Sequence, residues 1–135
     1  MSPADLRTDE HPAVSPVAAA AAFAARLGTE TDPDDLHTDL ARGAPIVVLD
    51  ARGPDAYRRA HIPGARNLPH RVIDAETTAG VPRDALVVVY CAGPGCNAAT
   101  KAAAKLSALG FTVKELIGGV EYWERSGYEL TIDLG

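Results

Sequence analysis

The chain has 135 residues, and 47% of them are hydrophobic, which is enough for one domain that buries on the order of two-thirds of its unfolded surface. With 13 basic and 18 acidic residues, the net charge of −5 argues against nucleic-acid binding, which requires clustered cations. No internal repeat or linker divides the sequence. We therefore expect a loose, Pro- and Asp-rich segment over residues 1–14 and one domain over residues 15–135.

The segment most similar to a targeting signal is the run VAAAAAFAA at residues 17–25. Acidic residues precede it where a signal peptide carries positive charge, and it is too short to span a membrane. The two cysteines, Cys91 and Cys96, lie in one short segment, a pattern typical of reactive thiols in a reducing compartment. These features predict a cytoplasmic protein without a membrane span.

Two short helices are predicted before the first clear strand. Ser15 and Asp32 are good N-cap residues, and each precedes a proline at the first helical position. Gly28 and Gly43 mark the two helix ends. The alanine run forms the body of the first helix, because alanine has the highest helix propensity.

The rest of the chain alternates strands and helices. Continuous apolar runs at residues 46–49 and 86–90 predict strands covered on both faces, and we expect residues 46–49 to be the first strand. Such alternation predicts a mainly parallel α/β sheet with helices on both faces. The other predicted elements are a short helix at 55–59, a short strand near Asn67, a helix at 98–109, a strand at 112–116 and a helix at 120–126.

Cys91 directly follows the strand Leu-Val-Val-Val-Tyr and opens the segment Cys-Ala-Gly-Pro-Gly-Cys-Asn. Ligands of open α/β sheets bind outside the carboxyl ends of the strands, so the cysteine is placed for chemistry. We expect Gly93 and Gly95 to adopt positive φ, which would turn backbone N–H groups inward around an anion and lower the pKa of Cys91. A buried structural cysteine is the alternative explanation. The predicted active loop consists of Ala92, Gly93, Pro94, Gly95, Cys96 and Asn97 after the nucleophile.

Four segments in order resemble the rhodanese domain, and together they cover residues 46–127. They are Asp50-Ala-Arg52; Tyr57-Arg-Arg-Ala-His61-Ile-Pro-Gly-Ala65 with Asn67-Leu-Pro69; Val89-Tyr90-Cys91 with its loop; and Ile117-Gly-Gly119 followed by Trp123.

The resemblance implies a five-stranded, mainly parallel rhodanese-like sheet and a sulfurtransferase that carries sulfane sulfur as a persulfide on Cys91. By this resemblance, the sulfur donor and the sulfur acceptor are each a small molecule or a protein, and the acceptor is a thiol or another nucleophile. By the same likeness, Asp50 and Arg52 are supporting residues beside the loop, and His61 belongs to a His-Ile-Pro-Gly-Ala turn where a structural role is the expected one. The resemblance implies no cofactor, and the scattered histidines form no metal-ligand pattern.

The sequence departs from the rhodanese pattern in two ways. The acidic residue that often precedes the aromatic position is Ala56 here, and Asp55 is a candidate substitute partner for Arg52. The loop is also longer than the common one and carries no Lys, Arg or His, so a dianion such as thiosulfate would depend on backbone amides and on Arg52, Arg58 or Arg59. Thiosulfate is therefore a doubtful physiological donor.

Two other function classes stay open. The resemblance extends to phosphatases and arsenate reductases of the same fold, whose active loop has the pattern Cys-(x)5-Arg. In this chain the arginine position of that pattern is Asn97, so the guanidinium that binds oxyanions is missing. The chain could instead be a non-enzymatic redox sensor or interaction module. Cys96, five positions after Cys91, either resolves an oxidised or persulfidated Cys91 or packs beneath the loop as a small apolar side chain.

Overall fold

A parallel β-sheet forms the centre of the fold. In the computed structural model, which describes residues 7–133, five strands lie in the order β1-β5-β4-β2-β3, and every neighbouring pair is parallel. The strands are β1 (Glu30–Thr31), β2 (Ile46–Asp50), β3 (Arg66–Asn67), β4 (Leu86–Tyr90) and β5 (Thr112–Leu116). The predicted α/β fold, with its five-stranded sheet, is confirmed.

Five α-helices accompany the strands within the described residues. They are α1 (Pro16–Leu27), α2 (Pro33–Ala41), α3 (Pro54–Arg59), α4 (Ala98–Ala108) and α5 (Gly119–Arg125), with 3₁₀ turns at Arg7–Asp9 and His70–Val72. Both predicted N-caps are confirmed: the Ser15 hydroxyl accepts a hydrogen bond from the Ala18 N–H at 3.2 Å, and an Asp32 carboxylate oxygen accepts one from the Asp35 N–H at 2.8 Å. The first two helices therefore begin where the cap residues predict.

Alternate residues of β2 and β4 contact opposite layers of the fold, as the two-residue period of a strand requires. One apolar cluster covers the face beneath α4 and includes Val87, Val89 and Cys91. The other lies beneath α2 and α5 and includes Val88 and Tyr90. Cys91 thus continues the strand on the face that α4 covers, and α4 contributes the buried residues Ala99, Ala102 and Leu106.

One prediction about the strands is wrong. The first strand is not the apolar run at 46–49 but β1, two residues between α1 and α2 that pair with β5 at the sheet edge. Two residues are too short to show any hydrophobic period, so their strand character depends on the partner and not on their own sequence.

The N-terminal segment is described only in part. Its first six residues lie outside the described part of the chain, and the rest holds the 3₁₀ turn at Arg7–Asp9 and otherwise exposed residues. The division at residues 14 and 15 stays a prediction. Among residues 7–133, none of the helices has the length and apolar character needed to cross a membrane.

Candidate active site around Cys91

Cys91 begins the loop that leaves β4, a strand flanked by β2 and β5. Its side chain is 4% exposed. The start of α5 holds this loop in place: the Val120 N–H donates to the Cys91 carbonyl at 3.0 Å, and the Glu121 N–H donates to the Ala92 carbonyl at 3.0 Å. Two amides of a helix start, which have no partner inside their own helix, thereby fix the backbone of the nucleophile.

Gly119 is the residue that lets α5 approach the loop so closely. Its φ is +62°, and a Cβ at this position would lie only 2.4 Å from the Cys91 carbonyl oxygen. Any larger residue would meet the loop backbone. From sequence, Gly119 was named only within a segment that resembles the rhodanese domain, and its contact with the loop was not predicted, although a double glycine directly before a predicted helix was a visible signal.

The two loop glycines do not have the predicted conformation. Positive φ values among the described glycines occur elsewhere, and Gly93 and Gly95 are not among them. Gly93 instead leaves room for the Glu121 carboxylate, because a Cβ there would lie 2.7 Å from Glu121 Oε2. A turn between the Gly93 carbonyl and the Cys96 N–H, at 3.0 Å, closes the loop without left-handed residues.

A depression of about 150 Å³ opens over the cysteine. Glu115 is the one charged residue among those that line it, and no Lys, Arg or His belongs to the lining. Arg52, Arg58 and Arg59, proposed above as anion ligands, are absent from its walls. The lining residues are Cys91, Gly93, Pro94, Cys96, Ala99, Glu115, Leu116, Ile117, Gly118 and Gly119.

The predicted fall in the pKa of Cys91 is wrong for the resting thiol. Burial raises the pKa of Cys91, and the neighbouring Cys96 thiol raises it further. The N–H groups of Ala99 and Gly93 act on the sulfur in the opposite direction without offsetting burial. The thiol instead donates a hydrogen bond to the Cys96 carbonyl at 3.1 Å, which favours its protonated form. Two backbone amides therefore favour the thiolate, but burial outweighs them.

The comparisons with known proteins agree with this geometry. The family model described as "Rhodanese-like domain" matches residues 32–126 of the chain. The chain belongs to the rhodanese-like family. A solved structure of the BH2092 protein from Bacillus halodurans is similar to it with a TM-score of 0.85 and 43% identity, over 90% of this chain and 89% of that one.

Two curated relatives show the range of proteins in which similar sequences occur. The thiosulfate sulfurtransferase GlpE of Pseudomonas entomophila is 42% identical over 90 residues, which are 65% of this chain and 76% of that protein. The HTH-type transcriptional regulator Rv0324 of Mycobacterium tuberculosis is 33% identical over 129 residues, 94% of this chain. This rhodanese-like chain spans only about half, 54%, of the regulator's length.

Asp50 and Arg52 form a buried ion pair at the carboxyl end of β2. The fully buried Asp50 carboxylate accepts from Arg52 Nη2 at 2.7 Å and from Arg52 Nε at 3.0 Å, and Arg52 Nη2 also donates to the Ala60 carbonyl at 2.6 Å. Asp55 is not the substitute partner of Arg52, because its carboxylate pairs with Arg58 one turn along α3. In this rhodanese-like domain the Arg52 guanidinium therefore has its partners inside the fold.

His61 lies in a structural setting. Its Nδ1 is 2.8 Å from the Tyr57 carbonyl oxygen, its ring stacks on Tyr57 at 3.8 Å between centroids, and its backbone N–H donates to the Thr131 carbonyl at 2.9 Å. It does not line the depression over Cys91. Trp123 packs in the α5 layer at 2% exposure and donates its indole N–H to the Glu129 carbonyl at 2.8 Å.

Proposed function

We propose that this rhodanese-like chain is a sulfurtransferase that carries sulfane sulfur as a persulfide on Cys91. The observation that supports it most is the position of the Cys91 thiol, at the floor of a small depression beyond the carboxyl end of β4. Two backbone N–H groups act on that sulfur, so negative charge on it has stabilising partners. The similarity to GlpE supports the same reaction class.

The reaction divides into two displacements at sulfur. The Cys91 thiolate attacks the outer sulfur of a donor, its bond to the donor breaks, and the donor leaves with the bonding electron pair. A nucleophilic acceptor then attacks the outer sulfur of the persulfide and returns Cys91 as a thiolate. A raised pKa makes this thiolate scarce near neutral pH but more nucleophilic once formed, so we expect transfer to accelerate as pH rises.

The charge around the depression supports a choice between donors. Glu115 lies in its wall and no basic side chain lines it, so a dianion would lose water there without gaining a cationic partner in the lining; Lys101 acts on Cys96 only from outside this lining. A protonated persulfide (R–S–SH) or an organic polysulfide (R–S–S–S–R) carries no charge at the reacting sulfur and avoids this cost. We therefore propose that such donors are used in preference to thiosulfate.

Intact mass spectrometry tests the proposal. The purified chain is treated separately with thiosulfate, inorganic polysulfide and a low-molecular-weight persulfide, unreacted donor is removed by desalting, and thiocyanate is measured after addition of cyanide. We expect a sulfur adduct that maps to Cys91 and is lost in Cys91→Ser, because a hydroxyl cannot form a persulfide. Ser107→Ala, on the exposed side of α4, is the matched control. Absence of both adduct and thiocyanate with all three donors, in the folded wild type and in folded Cys96→Ala, would refute the proposal.

A sensor is the second candidate, supported by the paired cysteines and by the similarity to half of a transcriptional regulator. It predicts a change in thiol state without transfer to an acceptor. The phosphatase and arsenate reductase alternative has less support, because neither position 97 nor the lining of the depression supplies the arginine that oxyanion transfer requires.

A further inference from the structure

The side chain of Cys96 lies beside the nucleophile. Both cysteines line the depression, and the Cys91 thiol donates to the Cys96 carbonyl at 3.1 Å. Cys96 also contacts the apolar cluster beneath α4, but it is only partly buried, whereas Cys91 is almost fully buried. Cys96 can therefore pack against the apolar cluster and still react with Cys91.

The two thiols differ in their readiness to ionise. Partial burial opposes ionisation of Cys96, but the Ala98 N–H, the neighbouring Cys91 thiol, the Ala92 N–H and the positive charge of Lys101 together lower the pKa of Cys96 below its ordinary value. Burial raises the pKa of Cys91, so the thiolate forms first on the more exposed Cys96. A nucleophile thus stands next to the sulfur that becomes the inner atom of a Cys91 persulfide.

We infer that Cys96 is a resolving nucleophile, which converts the Cys91 persulfide into sulfide and an internal Cys91–Cys96 disulfide. The inference rests on the persulfide proposed above. Cys96 is a further catalytic residue in this scheme, because it touches the reacting atoms.

The step balances without an added oxidant. The Cys96 thiolate attacks the Cys91 Sγ atom, the Cys91–Cys96 S–S bond forms, and the bond from Sγ to the outer sulfur breaks. The outer sulfur takes the electron pair and leaves as hydrosulfide. The two cysteines lose two electrons and the sulfane sulfur gains them. A further turnover requires an external dithiol, which reduces the disulfide by two successive exchanges.

The local backbone is compatible with this chemistry. Residues 92–97 belong to no helix or strand, and the 93–96 turn brings the chain back over Cys91. A disulfide requires the two Cα atoms to lie within about 7 Å, a condition that a loop returning on itself favours. Formation of the S–S bond therefore needs rearrangement of the loop and not of the sheet.

The test is a single-turnover experiment without oxygen or external thiol. The reduced chain is loaded with a brief pulse of sodium tetrasulfide, desalted, and quenched at intervals with iodoacetamide. Intact mass reports persulfide and disulfide, and released sulfide is measured in parallel. The variants are Cys96→Ala, Cys96→Ser and Cys91→Ser, each checked for folding by circular dichroism, with Ser107→Ala as the matched control.

We expect the wild type to release one sulfide per chain and to become lighter by two hydrogens, at a rate independent of protein concentration. Both Cys96 variants should hold the persulfide at least about tenfold longer, because the internal attacking thiol is gone. A persulfide that decays equally in wild type and Cys96→Ala, with no internal disulfide, overturns the inference and leaves the proposed function intact. No adduct in any variant overturns both.

Discussion

Replacing Gly119 by alanine tests whether the start of α5 positions the Cys91 loop. The change has two costs. A non-glycine residue at φ +62° costs about 1–2 kcal/mol. The new Cβ would also lie 2.4 Å from the Cys91 carbonyl oxygen, so the loop and helix must separate by roughly 1 Å to reach ordinary contact distance. Overpacking of this kind costs about 1–3 kcal/mol more.

Gly127→Ala is the matched control. Gly127 has φ +88°, but a Cβ there has nothing within 4 Å, so only the conformational cost of about 1–2 kcal/mol applies. We expect Gly119→Ala to lower the free energy of unfolding by about 2–5 kcal/mol in urea titration and to slow sulfur loading on Cys91. The control should lose stability without slower loading.

Two results would refute this reasoning. Equal losses of stability in the two variants would show that the close approach to Cys91 has no energetic consequence. Unchanged loading in Gly119→Ala, despite the larger loss, would show that the contact supports the fold and does not position the nucleophile.

Three further predictions concern charge. Iodoacetamide should label Cys96 from a lower pH than Cys91, because the pKa of Cys96 is lowered and that of Cys91 is raised; the reverse order in peptide mass maps would contradict both directions. Asp50→Ala should lower the free energy of unfolding by about 3–5 kcal/mol in urea titration, because it leaves the mostly buried Arg52 without its carboxylate partner, and a loss below about 1 kcal/mol would argue against this. Glu115→Gln should raise kcat/KM for thiosulfate about fivefold, equivalent to about 1 kcal/mol, and leave that for a neutral persulfide unchanged.

Much of the fold could be predicted because the local signals agree with each other. Ser15 and Asp32 cap helices that begin at the following proline, and β2 and β4 contain the apolar runs that predicted them. Caps and buried runs are local properties, since each depends on a few adjacent residues. The strand β1 could not be predicted, because its two residues become a strand only by pairing with β5.

The position of Cys91 at the end of β4 could also be predicted, but the direction of its pKa shift could not. A cysteine after a buried strand and before a glycine-containing loop indicates a reactive site from sequence alone. The pKa of Cys91 depends on a balance between burial and nearby amides, and that balance is a property of the packed fold. Stabilising backbone amides near the thiol could be expected from the loop sequence. The depth to which α4 and the loop cover the thiol could not be predicted from it.

Residues outside the Cys91 loop form part of the depression, so the loop sequence alone could not predict which donors the site favours. The residues at 115–119, more than twenty positions after Cys91, supply both Glu115 and the glycine that contacts the loop. They reach the site because β5 pairs with β4 in parallel register, which brings the carboxyl ends of both strands to the same edge of the sheet. An acidic side chain carried there by the neighbouring strand adds to the lack of cations in the loop. Both features are the basis of the proposed preference for a less charged donor, and they have independent origins in the sequence, so Glu115→Gln separates the contribution of the strand from that of the loop.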